Sequence, residues 1–188
     1  MKKIALLSLL SLAFVFAGKA QAPNEVFWKN LQGHCGKAYA GEVTTPMSEN
    51  DPFYGQTLIM HVVDCGPDFV HIPFFVGEDK SRTWVLTWED GLIKLKHDHR
   101  HEDGSEDKVT QYGGLSSNTG FPNLQYFPAD QETADRIPYA AGNVWWITLD
   151  DNAFTYNLRR VGSDRFISVK FDLSKEVKSP GPAWGWEK

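Results

Sequence analysis

Three of the six histidines in this chain stand at every second position, in the stretch HDHRHEDGSED that runs from His97 to Asp107. On an extended strand, alternate side chains share a face and stand about 6.6 Å apart. Metal–nitrogen bonds of roughly 2.0–2.1 Å let two such neighbours share one ion. Three in a row cannot readily do so, because His97 and His101 would be about 13 Å apart at Cα. A centre for a transition metal ion would therefore use one H-x-H pair from His97, His99 and His101, plus a ligand from an adjacent strand. His61, His71, Glu102 and Asp103 are the candidates for that further ligand. A second reading is a polar rim at the mouth of a pocket, titrating near the ordinary imidazole pKa of about 6.5 and making binding pH-sensitive. A third is a structural network in which each imidazole has a hydrogen-bond partner. Asp98, Arg100, Glu102 and Asp103 read as a solvated outer face.

No complete catalytic signature accompanies the row. Ser116-Ser117 lacks a G-x-S-x-G elbow and reads as a loop. Gly113-Gly114 and the glycines between 33 and 41 have no helix behind them, so they read as turns or bulges and not as phosphate loops. The acids are numerous, but no motif sets a pair of them at a glycosidase spacing.

The elements that would position these residues are mostly strands. Short β-branched and aromatic segments are cut by Gly, Pro, Asp and Asn, predicting ten strands near 36–44, 56–64, 68–76, 82–88, 92–101, 108–114, 122–128, 143–150, 153–161 and 165–173. Two short helices are expected. One is capped by Asn24 and runs to Leu31, and the other spans Gln131 to Arg136.

Paired residues in an antiparallel hairpin keep a constant sum of numbers, which gives registers. With Asp90-Gly91 as a two-residue turn, Trp88 faces Ile93, Leu86 faces Leu95 and Trp84 faces His97, all on one side of the sheet. With Asp151-Asn152 as the turn, Leu149 faces Phe154, Ile147 faces Tyr156 and Trp145 faces Leu158. Ile167, Val169, Phe171 and Leu173 join the same side. A turn at Asp103-Gly104-Ser105 with a sum of 209 would set His97 against Tyr112, His99 against Thr110 and His101 against Lys108. If 36–44 pairs with 56–64 at a sum of 100, Cys35 lies opposite Cys65, and a disulfide there closes a loop of about 30 residues.

Ten antiparallel strands joined by hairpins, with one apolar side, can remove their edges by closing into a barrel. The fold class expected is therefore all-β: a single antiparallel up-and-down barrel of about 8–10 strands with a short N-terminal helix. Such a barrel either fills with side chains or holds one small ligand. Outward Trp146 would pack under the C-terminal tail or mark a contact surface. The Pro/Gly-punctuated tail itself would pack along the barrel or close one end.

The chain opens with Lys2 and Lys3, then an apolar run of 14 residues from Ile4 to Ala17, then small residues. That is the layout of a signal peptide over 1–20, too short to span a bilayer comfortably. Cleavage after Ala20 avoids the proline that cleavage after Ala22 would leave first. A barrel domain over 21–178 and a tail over 179–188 follow, exported to a periplasm or secreted, with no membrane span once the signal is cut. Without Lys2, Lys3 and Lys19 the formal charge falls from −5 to −8, 16 basic residues against 24 acidic. That argues against nucleic acid as a partner. Oligomeric state is not readable from these features.

The segment FWKNLQGHCGKAYAGEV, Phe27 to Val43, resembles the entry of calycin-type barrels, the lipocalin-like superfamily. The matching residues are Trp28, Leu31, Gly33, Tyr39 and Gly41, although the lipocalin G-x-W is absent as such. The stretch LKHDHRHEDGSEDKVTQYGG looks like that of uncharacterised bacterial secreted proteins. The calycin resemblance implies a cavity for a small apolar or amphipathic molecule, and an Arg165 that stacks on Trp28 at the closed end. Together these readings give an exported binding protein. Trp84, Leu86, Trp88, Trp145, Ile147 and Tyr156 would line the cavity, with His97, His99 and Tyr112 as its polar handle. The rival expectations are a metal-dependent enzyme built on the H-x-H pair and a structural module with a filled barrel.

Overall fold

The structure, a computed structural model, describes residues 20–186; the segment expected to be a signal peptide, apart from Ala20, lies outside the described residues. One helix and a long antiparallel meander come first: α1 (Pro23–Gln32), β1 (Ala38–Val43), β2 (Leu58–His61), β3 (Asp64–Cys65), β4 (Phe69–Val76), β5 (Asp79–Glu89), β6 (Leu92–His99) and β7 (Tyr112–Leu115). The second half holds β8 (Leu124–Pro128), α2 (Gln131–Arg136), a 3-10 turn at Pro138–Ala140, β9 (Asn143–Leu149), β10 (Ala153–Arg160) and β11 (Phe166–Val177). The sheet order is β7-β6-β5-β4-β2-β1-β11-β10-β9-β8, with β3 on the side against β4. The first and last strands pair, so the sheet curls into a nearly closed antiparallel barrel whose seam falls between β7 and β8.

The seam is sealed by three hydrogen bonds around one glycine. Asp130 N–H donates to the Gly113 carbonyl at 2.9 Å. The buried Thr133 hydroxyl accepts from Gly113 N–H at 2.7 Å and donates to its carbonyl at 2.8 Å. A Cβ at Gly113 would run into the Leu95 carbonyl, and one at Gly114 into the Pro128 carbonyl. The glycine pair therefore serves close backbone approach, which no other residue permits. Asp130 caps α2 through Thr133 N–H at 2.8 Å and so fixes the hydroxyl that does the sealing.

The two central hairpins have the registers expected of them. Trp88, Leu86 and Trp84 face Ile93, Leu95 and His97. Leu149, Ile147 and Trp145 face Phe154, Tyr156 and Leu158. Asp90 and Gly91 both have positive φ, 49° and 80°, the type I′ turn that matches strand twist. The bend after Tyr39 is a bulge before Gly41, where a Cβ would meet the Phe171 ring at 2.6 Å.

Four local expectations are corrected. Asn24 does not cap α1; Ala22 does, and buried Asn24 donates its amide to the Gly91 carbonyl at 2.7 Å, tying the helix to the β5–β6 turn. Cys35 and Cys65 are disulfide-bonded, but β1 and β2 pair at a sum of 99, with Ala38 opposite His61. Cys35 precedes β1, and Cys65 sits on β3, a separate fragment formed where the predicted 56–64 strand breaks after His61. The sum of 209 holds from Lys94–Leu115 to His97–Tyr112 and fails beyond it. There Asp107 N–H, not that of Thr110, reaches the His99 carbonyl, and His101 bonds Ser105 instead of facing Lys108. Asp103 and Asp107 each accept from backbone N–H groups two residues on, and these local turns displace the ladder. Arg165 does not stack on Trp28. Trp28 packs edge-on against Trp88 at 5.7 Å and donates to the Pro67 carbonyl, at the end that α1 closes, while Arg165 stands at the other end.

The middle of the barrel is filled. Trp84 is sandwiched between Phe74, at 4.9 Å, and Tyr156, at 4.4 Å, both near-parallel to it. Leu86, Ile147, Phe154 and Phe171 are buried around this stack. The tail after Val177 lies along the outer wall. The Trp186 indole donates to Asp98 at 2.9 Å, and Trp184 N–H reaches the Lys80 carbonyl at 3.1 Å. Asp98, expected on a solvated face, is thus buried and also bonded by Arg100 and Gln111. Trp146 is not under the tail; it lies between Tyr126 and Phe166 on the opposite wall.

Candidate functional site at the open end

The end away from α1 holds a cavity of about 220 Å³. Its inner walls come from inward positions of four strands. Tyr112 is the first residue of β7, Trp145 lies on β9, Tyr156 and Leu158 lie on β10, and Ile167 lies on β11. Ile137 and Ala140, from α2's exit and the following turn, close one side. Phe53, Tyr139, Arg160 and Arg165 form the rim. The floor is Tyr156, whose other face rests on Trp84, so the cavity stops where the packed centre begins.

His97 sits directly behind this wall. Its ring stacks on Tyr112 at 4.5 Å and lies 5.0 Å from Trp145. Nδ1–H donates to the Tyr112 carbonyl at 2.9 Å, so the other nitrogen is unprotonated in the neutral ring and accepts from the Tyr156 hydroxyl at 2.7 Å. Each ring nitrogen thus has a protein partner, which fixes the tautomer. His99 Nε2 lies 3.0 Å from the Tyr112 hydroxyl, and its backbone N–H donates to Thr110 Oγ1 at 2.8 Å. The two imidazoles therefore hold two of the three tyrosines that line the cavity, Tyr112 and Tyr156. His101 is exposed at the turn. Among the described residues, no three His, Cys, Asp or Glu side chains converge into a group that could hold a metal ion.

Burial sets the electrostatics of this layer. Loss of hydration lowers the His97 pKa to about 3, against a weaker upward push from its bond to Tyr112. The same effect, helped by nearby Arg82, lowers His99 to about 4. Burial raises the Tyr112 and Tyr156 phenols well above their ordinary value. All four groups are neutral across physiological pH. The expected titration of the row near 6.5 does not occur at His97 or His99, because burial resists protonation and, at His99, burial with Arg82 outweighs the upward pull of Asp107, Asp79 and Asp98.

Of the residues expected to line a cavity, the structure brings Tyr112, Trp145 and Tyr156 to it, with His97 and His99 one layer behind. Trp84, Leu86 and Ile147 belong to the packed centre, and Trp88 to the closed end against Trp28. Leu158 and Ile167, which the hairpin registers set on the inward side without assigning them to the cavity, line it too, as do Phe53, Val109, Ile137, Tyr139, Ala140, Asn143, Arg160 and Arg165. Arg160 was within reach of the sequence, because it continues the inward alternation of Tyr156 and Leu158 to the end of β10. Phe53 and Tyr139 arrive on irregular segments, where no period places them.

Comparison of the chain with family models, with curated proteins and with solved structures finds no match. What the structure shows is a nearly closed antiparallel barrel with a short helix at one end, an architecture compatible with a calycin-like fold.

Proposed function

We propose that this chain is an exported binding protein that takes a small, partly apolar molecule into the open end of its barrel. The observation that carries the reading is the cavity beside Tyr112, Trp145 and Tyr156: aromatic and aliphatic walls, a rim carrying Asn143, Arg160 and Arg165, and a second layer that fixes the wall residues. Ligand sites have this composition, mostly apolar surface with a few convergent polar groups. Export agrees with the N-terminal apolar run and with the Cys35–Cys65 disulfide, a bond that persists in oxidising compartments. Among the described residues no helix is long and apolar enough to cross a membrane.

Native mass spectrometry of untagged protein recovered after export tests the reading. A stoichiometric organic adduct, lost in a Trp145→Ala variant that retains its fold, is the expected result. An adduct that survives this substitution would place the ligand elsewhere. The filled centre around Trp84 favours, as a second reading, a structural module. A protein that is adduct-free and inert to small molecules at the open end would select it.

A further inference from the structure

The rim of the cavity is cationic in a chain that is acidic overall, with 24 acidic residues against 19 basic. Among the described residues no Asp or Glu lines the cavity, while Arg160 and Arg165 both do. Among the described residues, Arg160 has no carboxylate partner. Its Nε–H donates to the amide oxygen of buried Asn143 at 2.9 Å, and its guanidinium carbon lies 5.2 Å over the Tyr139 ring. Among the described residues, the carboxylate partner of Arg165 is Asp51, at a loose 3.8 Å. The Asn143 bond holds the Arg160 stem in place while leaving its terminal nitrogens to other acceptors. By contrast Arg82, which also approaches Phe53, is paired with Asp79.

A guanidinium is always charged, and its fork matches a planar oxyanion. The walls supply ring faces, on which a flat aromatic ligand stacks favourably. Length is limited from below, because the cavity of about 220 Å³ ends on Tyr156 and the Trp84–Phe74 stack. A long acyl chain has nowhere to run.

From this we infer that the open end binds a small aromatic acid, a single ring carrying a carboxylate, with the ring against Tyr112, Trp145 and Tyr156 and the carboxylate on Arg160 and Arg165. The inference rests on reading the cavity as a ligand site, and it adds the ligand's class.

The test is a titration of the full exported chain at pH 7.5 with benzoate, its neutral counterpart benzamide, and octanoate. Binding is followed through the NMR signals of the Trp145 indole and the Arg160 side chain. Benzoate is expected to bind at least about tenfold more tightly than benzamide, a charge-assisted contribution of about 1.4 kcal/mol. Octanoate should bind more weakly than benzoate. Arg160→Gln should bring benzoate and benzamide level, and Arg165→Gln should narrow the gap. Equal binding of benzoate and benzamide in the wild type overturns the inference while leaving the cavity as a site. So does tighter binding of octanoate. If none of the three shifts those signals at about 10 mM, where a ligand of nine or ten heavy atoms at ordinary efficiency would register, both the inference and the cavity reading fall. The wild-type ratio decides alone should Arg160→Gln not fold.

Discussion

Acidification should destabilise this protein well before its carboxylates titrate, and most of the effect should come from two imidazoles. In the unfolded chain His97 and His99 take up protons near pH 6.5. In the folded chain burial lowers them to about 3 and about 4. Below 6.5 the unfolded state therefore binds more protons, so stability falls as pH falls. The contribution of the two groups is complete above pH 6.5 and is lost progressively down to pH 3–4. Between pH 7.5 and 5.0 a histidine of this kind costs about 2 kcal/mol, from about 1.36 kcal/mol per pH unit and proton over the part of the range below 6.5. The pair would cost about 4 kcal/mol, discounted toward 3 because water reaches an edge of His99. His34 and His61 are lowered in the same direction by partial burial, so the comparison needs a variant. Urea unfolding at pH 7.5, 6.5, 5.8 and 5.0, for the wild type and for His97→Gln/His99→Gln, isolates the two. The double variant should start less stable, because His97 gives up bonds to Tyr112 and Tyr156. It should then lose about 3 kcal/mol less over the range. NMR of the wild type gives a second readout, in which the His97 ring signals should not move between pH 8 and pH 5. Parallel pH profiles for the two proteins, or a His97 titration near 6.5, would refute the claim that these rings are buried and neutral.

Three shorter predictions follow from the same contacts. Thr133→Val removes the hydroxyl that bonds both the N–H and the carbonyl of Gly113, leaving the carbonyl only its bond from Asp130 N–H, and should cost about 1–3 kcal/mol in urea unfolding, with amide exchange at Gly113 and Asp130 accelerated more than in β5; an unchanged stability would mean the seam is held otherwise. Reduction of Cys35–Cys65 opens a loop of 30 residues and should lower stability by about 3–4 kcal/mol, read as a lower urea midpoint in dithiothreitol; a shift below about 1 kcal/mol would contradict it. If the N-terminal segment is cut as a signal peptide, the mature chain should begin at Gln21, because cutting after Ala22 would leave Pro23 at the new N-terminus; an intact mass beginning at Pro23 would contradict this.

What could be read in the sequence followed from period and turn chemistry. Asp90-Gly91 sets a two-residue turn, so every pair of the β5–β6 hairpin follows by counting, including the placement of His97 on the same side as Trp84. The Asp151-Asn152 hairpin yields Trp145 and Tyr156 in the same way. The third hairpin broke the rule because Asp103 and Asp107 bond their own backbone and absorb residues 108–110, which no constant sum anticipates. The apolar face also could not say where packing stops. Trp84, Leu86 and Ile147 have the same inward alternation as Trp145 and Tyr156. Whether an inward ring fills the centre or lines a cavity depends on which rings stack across the barrel, here Phe74 from β4 and Phe171 from β11, and that is a long-range fact. The histidine row was located correctly at His97 and His99, but its chemistry was not legible. Neutral imidazoles bonded to tyrosines and protonated imidazoles at a wet rim need the same residues at the same spacing, and only burial separates them.

The claim on which the rest depends is that small molecules bind at the open end. A thermal-shift screen of chemically diverse small molecules tests it most directly, run in parallel on the wild type and on Val109→Trp, a substitution at an exposed position of the cavity mouth that should fill it without disturbing the centre. The account predicts compounds that raise the wild-type melting temperature, as any ligand specific to the folded state must, and that no longer do so for Val109→Trp. Compounds that stabilise both proteins equally would contradict it.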